Sequence, residues 1–98
     1  MSQINWVYIM TNKRNGTLYV GSTSNLIARV HQHRNAMVEG FTKKYGLTHC
    51  VWFEDFPDID AALAQERRMK RWRREWKINR IEQGNPEWVD LWPKISRL

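Results

Sequence analysis

A chain of 98 residues with a net charge of +6 has the length of one domain, expected to span residues 1–98, and buries only roughly 60–65% of its unfolded surface. Its single cysteine, Cys50, excludes an internal disulfide, and neither the start, Met1 to Asn5, nor any apolar run supports a secretory leader or a span of roughly 18 residues. The reading is a cytoplasmic chain with no membrane partner, whose six tryptophans build a core because each aromatic buries about 150–250 Å².

In chain order, Asn5 to Thr11 is aromatic and β-branched, Asn12-Lys13-Arg14-Asn15-Gly16 has turn chemistry, and Thr17 to Gly21 reads as a return strand. That is the signature of a β-hairpin. Alternation places Trp6, Tyr8 and Met10 on one face and Val7 and Ile9 on the other. Both faces are apolar, so both need covering.

Ser22-Thr23-Ser24-Asn25 offers caps for a helix through about Glu39, with Gly40 as its stop. A third strand is predicted in Thr48 to Asp55, closed by Pro57. Asp58 or Asp60 can cap a second helix, from about Ala61 through a basic stretch, and Glu75 to Gln83 forms a third, ended by Gly84. Asn85-Pro86 turns the chain into an aromatic tail. The order is ββαβαα, an α+β fold with a three-stranded antiparallel sheet flanked by helices.

Charge is concentrated in one segment. Glu66 to Arg80 carries eight basic residues against two acidic ones, a surplus equal to that of the whole chain. Such a stripe suits a polyanion, because displacing counterions from phosphates drives binding without sequence preference. A solvated helix face is the plainer interpretation.

Two helices carry charges where apolar side chains are expected. The inward stripe of the first runs Leu26, Arg29, Val30, His33 and Met37, and that of the second runs Ile59, Ala62, Leu63, Glu66 and Met69. Charged residues are rarely buried without partners, and a buried ion pair adds little net stability. Arg29, His33 and Glu66 are therefore site candidates, together with Tyr8 and Tyr19 on the hairpin. A structural ion pair between Glu66 and Arg29 is the alternative.

These residues, in this order, resemble the GIY-YIG nuclease superfamily, and its small stand-alone, excinuclease-amino-terminal-like members most closely, from Trp6 to about Leu91. The motifs are Trp6-Val7-Tyr8, Tyr19-Val20-Gly21, Arg29 with His33, Lys43-Lys44-Tyr45-Gly46-Leu47, the stretch around Glu66, and Asn85-Pro86-Glu87-Trp88. Trp6 replaces the first glycine, and Val7 and Val20 replace the central isoleucines, while both tyrosines and Gly21 are kept.

The resemblance implies an endonuclease cleaving DNA, with RNA as a further possible substrate, through one divalent metal, Mg²⁺ or Mn²⁺, held by Glu66. It implies that Tyr8 or Tyr19 activates water, with His33 in support, that Arg29 contacts the phosphate and that Asn85 sits near the site. Lys44, Arg67, Lys70, Arg71 and Arg74 are the expected nucleic-acid contacts. A non-catalytic nucleic-acid-binding module on the same fold is the alternative function. A zinc site from His31, His33, His49 and Cys50 lacks the usual ligand spacing, and Cys50, within an apolar strand, reads as packing rather than as a nucleophile.

Overall fold

The computed structural model describes residues 4–98. Strands β1 (Asn5–Thr11), β2 (Leu18–Thr23) and β3 (His49–Phe56) form one sheet in the order β2-β1-β3, with both pairings antiparallel. Helices α1 (Leu26–Arg34) and α2 (Phe41–Lys44) separate β2 from β3, and α3 (Ile59–Arg71), α4 (Arg74–Gly84) and α5 (Trp92–Ile95) follow. Among the described residues, no helix is long and apolar enough to cross a membrane.

Each face of the sheet has its own core, as the alternation in β1 requires. Val7, Ile9 and Val20 pack with Val51, Ala62, Met69 and Ile81 under α3 and α4. Tyr8 and Met10 pack with Leu26, Val30, Leu47 and Ile95 under α1 and α5. A sheet covered on both sides explains why β1 is buried at nearly every position.

The expected elements are present, with three differences. First, α1 ends at Arg34, five residues before Glu39. The Met37 amide bonds the Gln32 carbonyl at 2.8 Å and the Ala36 amide bonds that of His33 at 3.1 Å, while Ala36 takes φ 53°. This is a Schellman ending with alanine at the left-handed position usually given to glycine. Met37 consequently leaves the inner stripe and is 63% exposed.

Second, the loop so created contains the short α2, which the sequence had not indicated. Third, the aromatic tail folds into α5, whose Ile95 is fully buried. The two capped helices start as their caps dictate: Asn25 accepts from the Ala28 amide at 3.1 Å and Asp58, rather than Asp60, accepts from that of Ala61 at 2.8 Å.

Candidate active site

On the α1 face, antiparallel register puts Tyr8 opposite Gly21 and Met10 opposite Tyr19, so the two phenols are diagonal neighbours with ring centroids 6.4 Å apart. The glycine makes this possible. A Cβ on Gly21 would stand 2.5 Å from the Tyr8 hydroxyl and 2.9 Å from the Tyr19 ring, so the Tyr8 ring lies where any other residue would put its side chain. Trp6, which replaces the first motif's glycine, packs edge-on against Phe53 at 5.9 Å.

Helix α1 supplies the next layer. His33 is buried, with Nε2 2.9 Å from the Tyr8 hydroxyl and Nδ1 3.1 Å from the Thr42 hydroxyl on α2. Burial and the Arg29 charge lower its pKa to about 4, so the imidazole is neutral at pH 7. One nitrogen then accepts while the other donates. Burial raises the Tyr8 phenol above its ordinary pKa, while a hydrogen bond from Arg29 acts in the opposite sense. Arg29, one turn before His33, also reaches Gln32 at 3.4 Å. Tyr19 is half-buried between the His33 ring, at 5.9 Å, and a stacked Phe41, at 6.2 Å.

Glu66 arrives from the other side of the sheet. Strand β2 is an edge strand, and Ser22, paired with Val7, faces α3. The Ser22 hydroxyl donates to Glu66 Oε1, and Lys70 Nζ lies 2.7 Å from Oε2. The same ammonium is 5.6 Å from the Tyr19 ring centroid. Lys70 thus bridges the edge of the sheet, linking the carboxylate to Tyr19.

Burial pushes the Glu66 carboxyl up, but hydrogen bonds from Lys70 and Ser22 with the charges of Lys70 and Arg67 outweigh it. Its pKa is lowered. The partners of Glu66 are therefore Lys70 and Ser22, not Arg29 as the ion-pair alternative required.

An ionised carboxylate beside a hydroxyl is a suitable donor set for a hard cation, which prefers oxygen ligands and keeps several waters. The Lys70 ammonium shows that the position accepts positive charge. Among the described residues no group of three or more His, Cys, Asp and Glu side chains is gathered as a metal cage, so any cation at Glu66 would have one carboxylate and would take its other ligands from Ser22, water or substrate oxygens. The zinc candidates are spread out: His33 faces Tyr8 and Thr42, His31 packs on Trp92 at 6.1 Å, and the Cys50 thiol donates to the Trp52 carbonyl. Burial pushes that thiol up to about 12, which suppresses the reactive thiolate.

Tyr8, Tyr19, Arg29 and His33 are thus brought together on one face of the sheet, and Glu66, on the other face, is linked to them, among the described residues, only through Lys70. Asn85 is not among them. It caps α4 beside β3, at the opposite edge of the sheet from β2. Its Nδ2 donates to the carbonyls of Val51, at 3.1 Å, and Val89, at 2.8 Å, and its Oδ1 accepts from the Val89 amide at 2.9 Å. Those bonds hold the turn into the tail, which corrects the expectation that Asn85 lies near the site.

Of the basic residues, Arg67, Lys70 and Arg71 are exposed along α3, and Lys44 lies over the Tyr45 ring at 5.4 Å. Arg74 is already engaged, donating to the carbonyls of Asn15 and Gly16, both at 2.6 Å. Sequence reasoning missed Ser22 and Thr42 as partners of Glu66 and His33. Ser22 could have been found from its place two residues after Val20, on the same face; Thr42 lies in a helix with no sequence signal.

The family that matches this chain is the GIY-YIG catalytic domain, over residues 4–79. Similar chains include a UPF0213 protein of Clostridium perfringens, 33% identical over 78 residues, which are 80% of this chain and 83% of that relative. Another, from Staphylococcus epidermidis, is 30% identical over 81% of this chain and 95% of its own. A third, from Haloquadratum walsbyi, is 31% identical over 86% and 93%. No solved structure matches. The chain belongs to the GIY-YIG family, a group within the nuclease superfamily whose members generally use a divalent metal.

Proposed function

We propose that this protein is a metal-dependent endonuclease that hydrolyses DNA phosphodiester bonds, with Mg²⁺ or Mn²⁺ held by Glu66. The observation that carries the reading is the contact between the Tyr8 hydroxyl and His33 Nε2 at 2.9 Å, with Arg29 beside it and an ionised Glu66 across the edge strand. A divalent ion at Glu66 would neutralise charge on the scissile phosphate and the departing oxygen.

The protein's own groups handle the phosphate and the proton. Arg29 offers a planar fork to the non-bridging oxygens. Water oxygen forms a bond to phosphorus as the bond to the 3′ oxygen breaks. The water proton passes to the Tyr8 oxygen while the phenol's own proton moves to His33 Nε2, so a free phenolate is never required. In this tautomer His33 Nδ1 donates to Thr42. The low pKa of His33 arises in part from the Arg29 charge, and a phosphate docked on Arg29 offsets that charge, making the imidazole a better proton acceptor when substrate is bound. Tyr8, with its direct partner, is the base in this scheme, and Tyr19 positions the phosphate.

The test compares wild type with Glu66→Ala on labelled single-stranded, duplex and branched DNA, with Mg²⁺, Mn²⁺ or EDTA. Metal-dependent product from wild type, reduced at least about 10³-fold in the variant, is expected, since a metal supplies several kcal/mol of charge stabilisation. Binding without product under every condition would establish the alternative, a non-catalytic binding module.

A further inference from the structure

Outside the proposed cleavage site, the most unusual surface feature is on α4. Trp76 is 52% exposed, although a buried indole stabilises a small chain and an exposed one adds nothing to the core. Trp72, Trp76, Asn79, Arg80 and Gln83 line a groove of about 360 Å³. Helical geometry places Trp76, Asn79, Arg80 and Gln83 along one stripe of α4, and Trp72, in the extended link between α3 and α4, lies beside it.

The stripe has a consistent chemistry. The Arg73 guanidinium lies 5.9 Å from the Trp76 ring centroid, and that of Arg80 lies 5.0 Å from Trp72. Asn79 and Gln83 add amides that can both donate and accept. Of the two carboxylates on α4, Glu82 is held by Trp88 Nε1 at 2.7 Å, and Glu75, one turn before Asn79, borders the groove on the side away from Arg80. Trp and Arg are common at protein-docking faces too, but the buried core of such a face is mostly apolar. Here two guanidinium groups and two amides flank the indoles, with no aliphatic side chain among the described residues of the lining, which complements a phosphate backbone with an exposed base.

We propose that this groove is a binding subsite for single-stranded DNA, in which an unpaired base stacks on Trp76 and Arg73 and Arg80 contact the flanking phosphates. The inference rests on the nucleic-acid reading above and narrows it to a substrate with unpaired bases. A base within a duplex presents no free face to the indole, so the subsite discriminates by strandedness rather than by sequence.

The experiment measures anisotropy of labelled oligo(dT), an abasic strand of equal length and a duplex, in EDTA, with wild type, Trp76→Ala and Trp76→Phe. Trp76→Ala is expected to weaken oligo(dT) binding roughly 5- to 150-fold, the range for one stacked base, with the salt slope unchanged. Trp76→Phe should retain most of the affinity, and the abasic strand should bind wild type and Trp76→Ala alike. Equal oligo(dT) affinity for wild type and Trp76→Ala would overturn the proposal, as would equal losses on all three ligands. A wild-type dimer in light scattering that Trp76→Ala converts to monomer would reassign the groove to a second copy of the chain. If wild type binds no DNA at all, the nucleic-acid reading itself fails; if it binds and cleaves but ignores Trp76, only the subsite fails.

Discussion

The Tyr8 hydroxyl and His33 Nε2 lie 2.9 Å apart in the core beneath α1, two proton-exchanging groups in direct contact where the helix stripe would otherwise carry apolar side chains. Tyr8→Phe removes the phenolic proton and little volume. The expected outcome is a fall of about 10²- to 10⁴-fold in cleavage rate with an unchanged circular dichroism spectrum. Gly21→Ala should act on the same contact from the strand side, displacing the Tyr8 ring and costing about 1–3 kcal/mol of stability as well as activity. Single-turnover cleavage alongside denaturant unfolding separates the two effects.

Acid sensitivity follows from His33. Its pKa falls from the ordinary 6.5 to about 4 in the folded chain, so between those values the unfolded chain binds more protons. The stability that His33 contributes is therefore complete above pH 6.5 and is lost as pH falls toward about 4, at no more than about 1.4 kcal/mol per pH unit. His33→Gln should flatten urea-unfolding stability across that window. The ionised Glu66, lowered from 4.5, begins to lose its contribution only as pH falls to about 4.5, so the upper part of the window reports His33 alone of the two. A wild-type slope persisting in His33→Gln would assign the effect to another group.

Asn85→Ala should behave as a stability variant. It leaves the Val51 carbonyl and the Val89 backbone without their side-chain partners, a loss of about 2–3 kcal/mol, while cleavage per folded molecule at low temperature stays at the wild-type rate. A rate loss exceeding the loss of folded protein would return Asn85 to the chemistry.

The basic residues should divide into two kinds. Arg71→Ala is expected to lower DNA affinity and reduce the salt slope by roughly 0.7–0.9 per lost phosphate contact, with no change in stability. Arg74→Ala should in addition destabilise the chain by about 1 kcal/mol, because its guanidinium ties α4 to the β1–β2 turn. Salt-dependent binding titrations paired with thermal unfolding distinguish them.

Much of this architecture was legible because it depends on short-range pattern. Alternation in β1 assigned Tyr8 to one core and Val7 to the other, and Asn25 and Asp58 marked where their helices start. The charges interrupting two apolar stripes pointed to Arg29, His33 and Glu66. What escaped depends on backbone conformations that side-chain pattern does not announce. The stop after Arg34 uses alanine where glycine would have been conspicuous, and with it came α2, Thr42 and the exposure of Met37. Asn85 was misplaced for a related reason: its motif gives its position in the chain, but only the order β2-β1-β3 reveals that it sits at the far edge of the sheet from Glu66.

Under the proposed mechanism, the order of these residues along the chain affects when the protein could become active. Both phenols lie in the first 19 residues and the imidazole by residue 33, yet the acidic group enters only with α3, through a Ser22–Glu66 contact spanning 44 positions. During synthesis, a ribosome-bound chain would expose every proton-handling side chain well before it owned a cation anchor. Under the proposed mechanism the nascent protein stays harmless to nearby nucleic acid until α3 closes over the edge of β2.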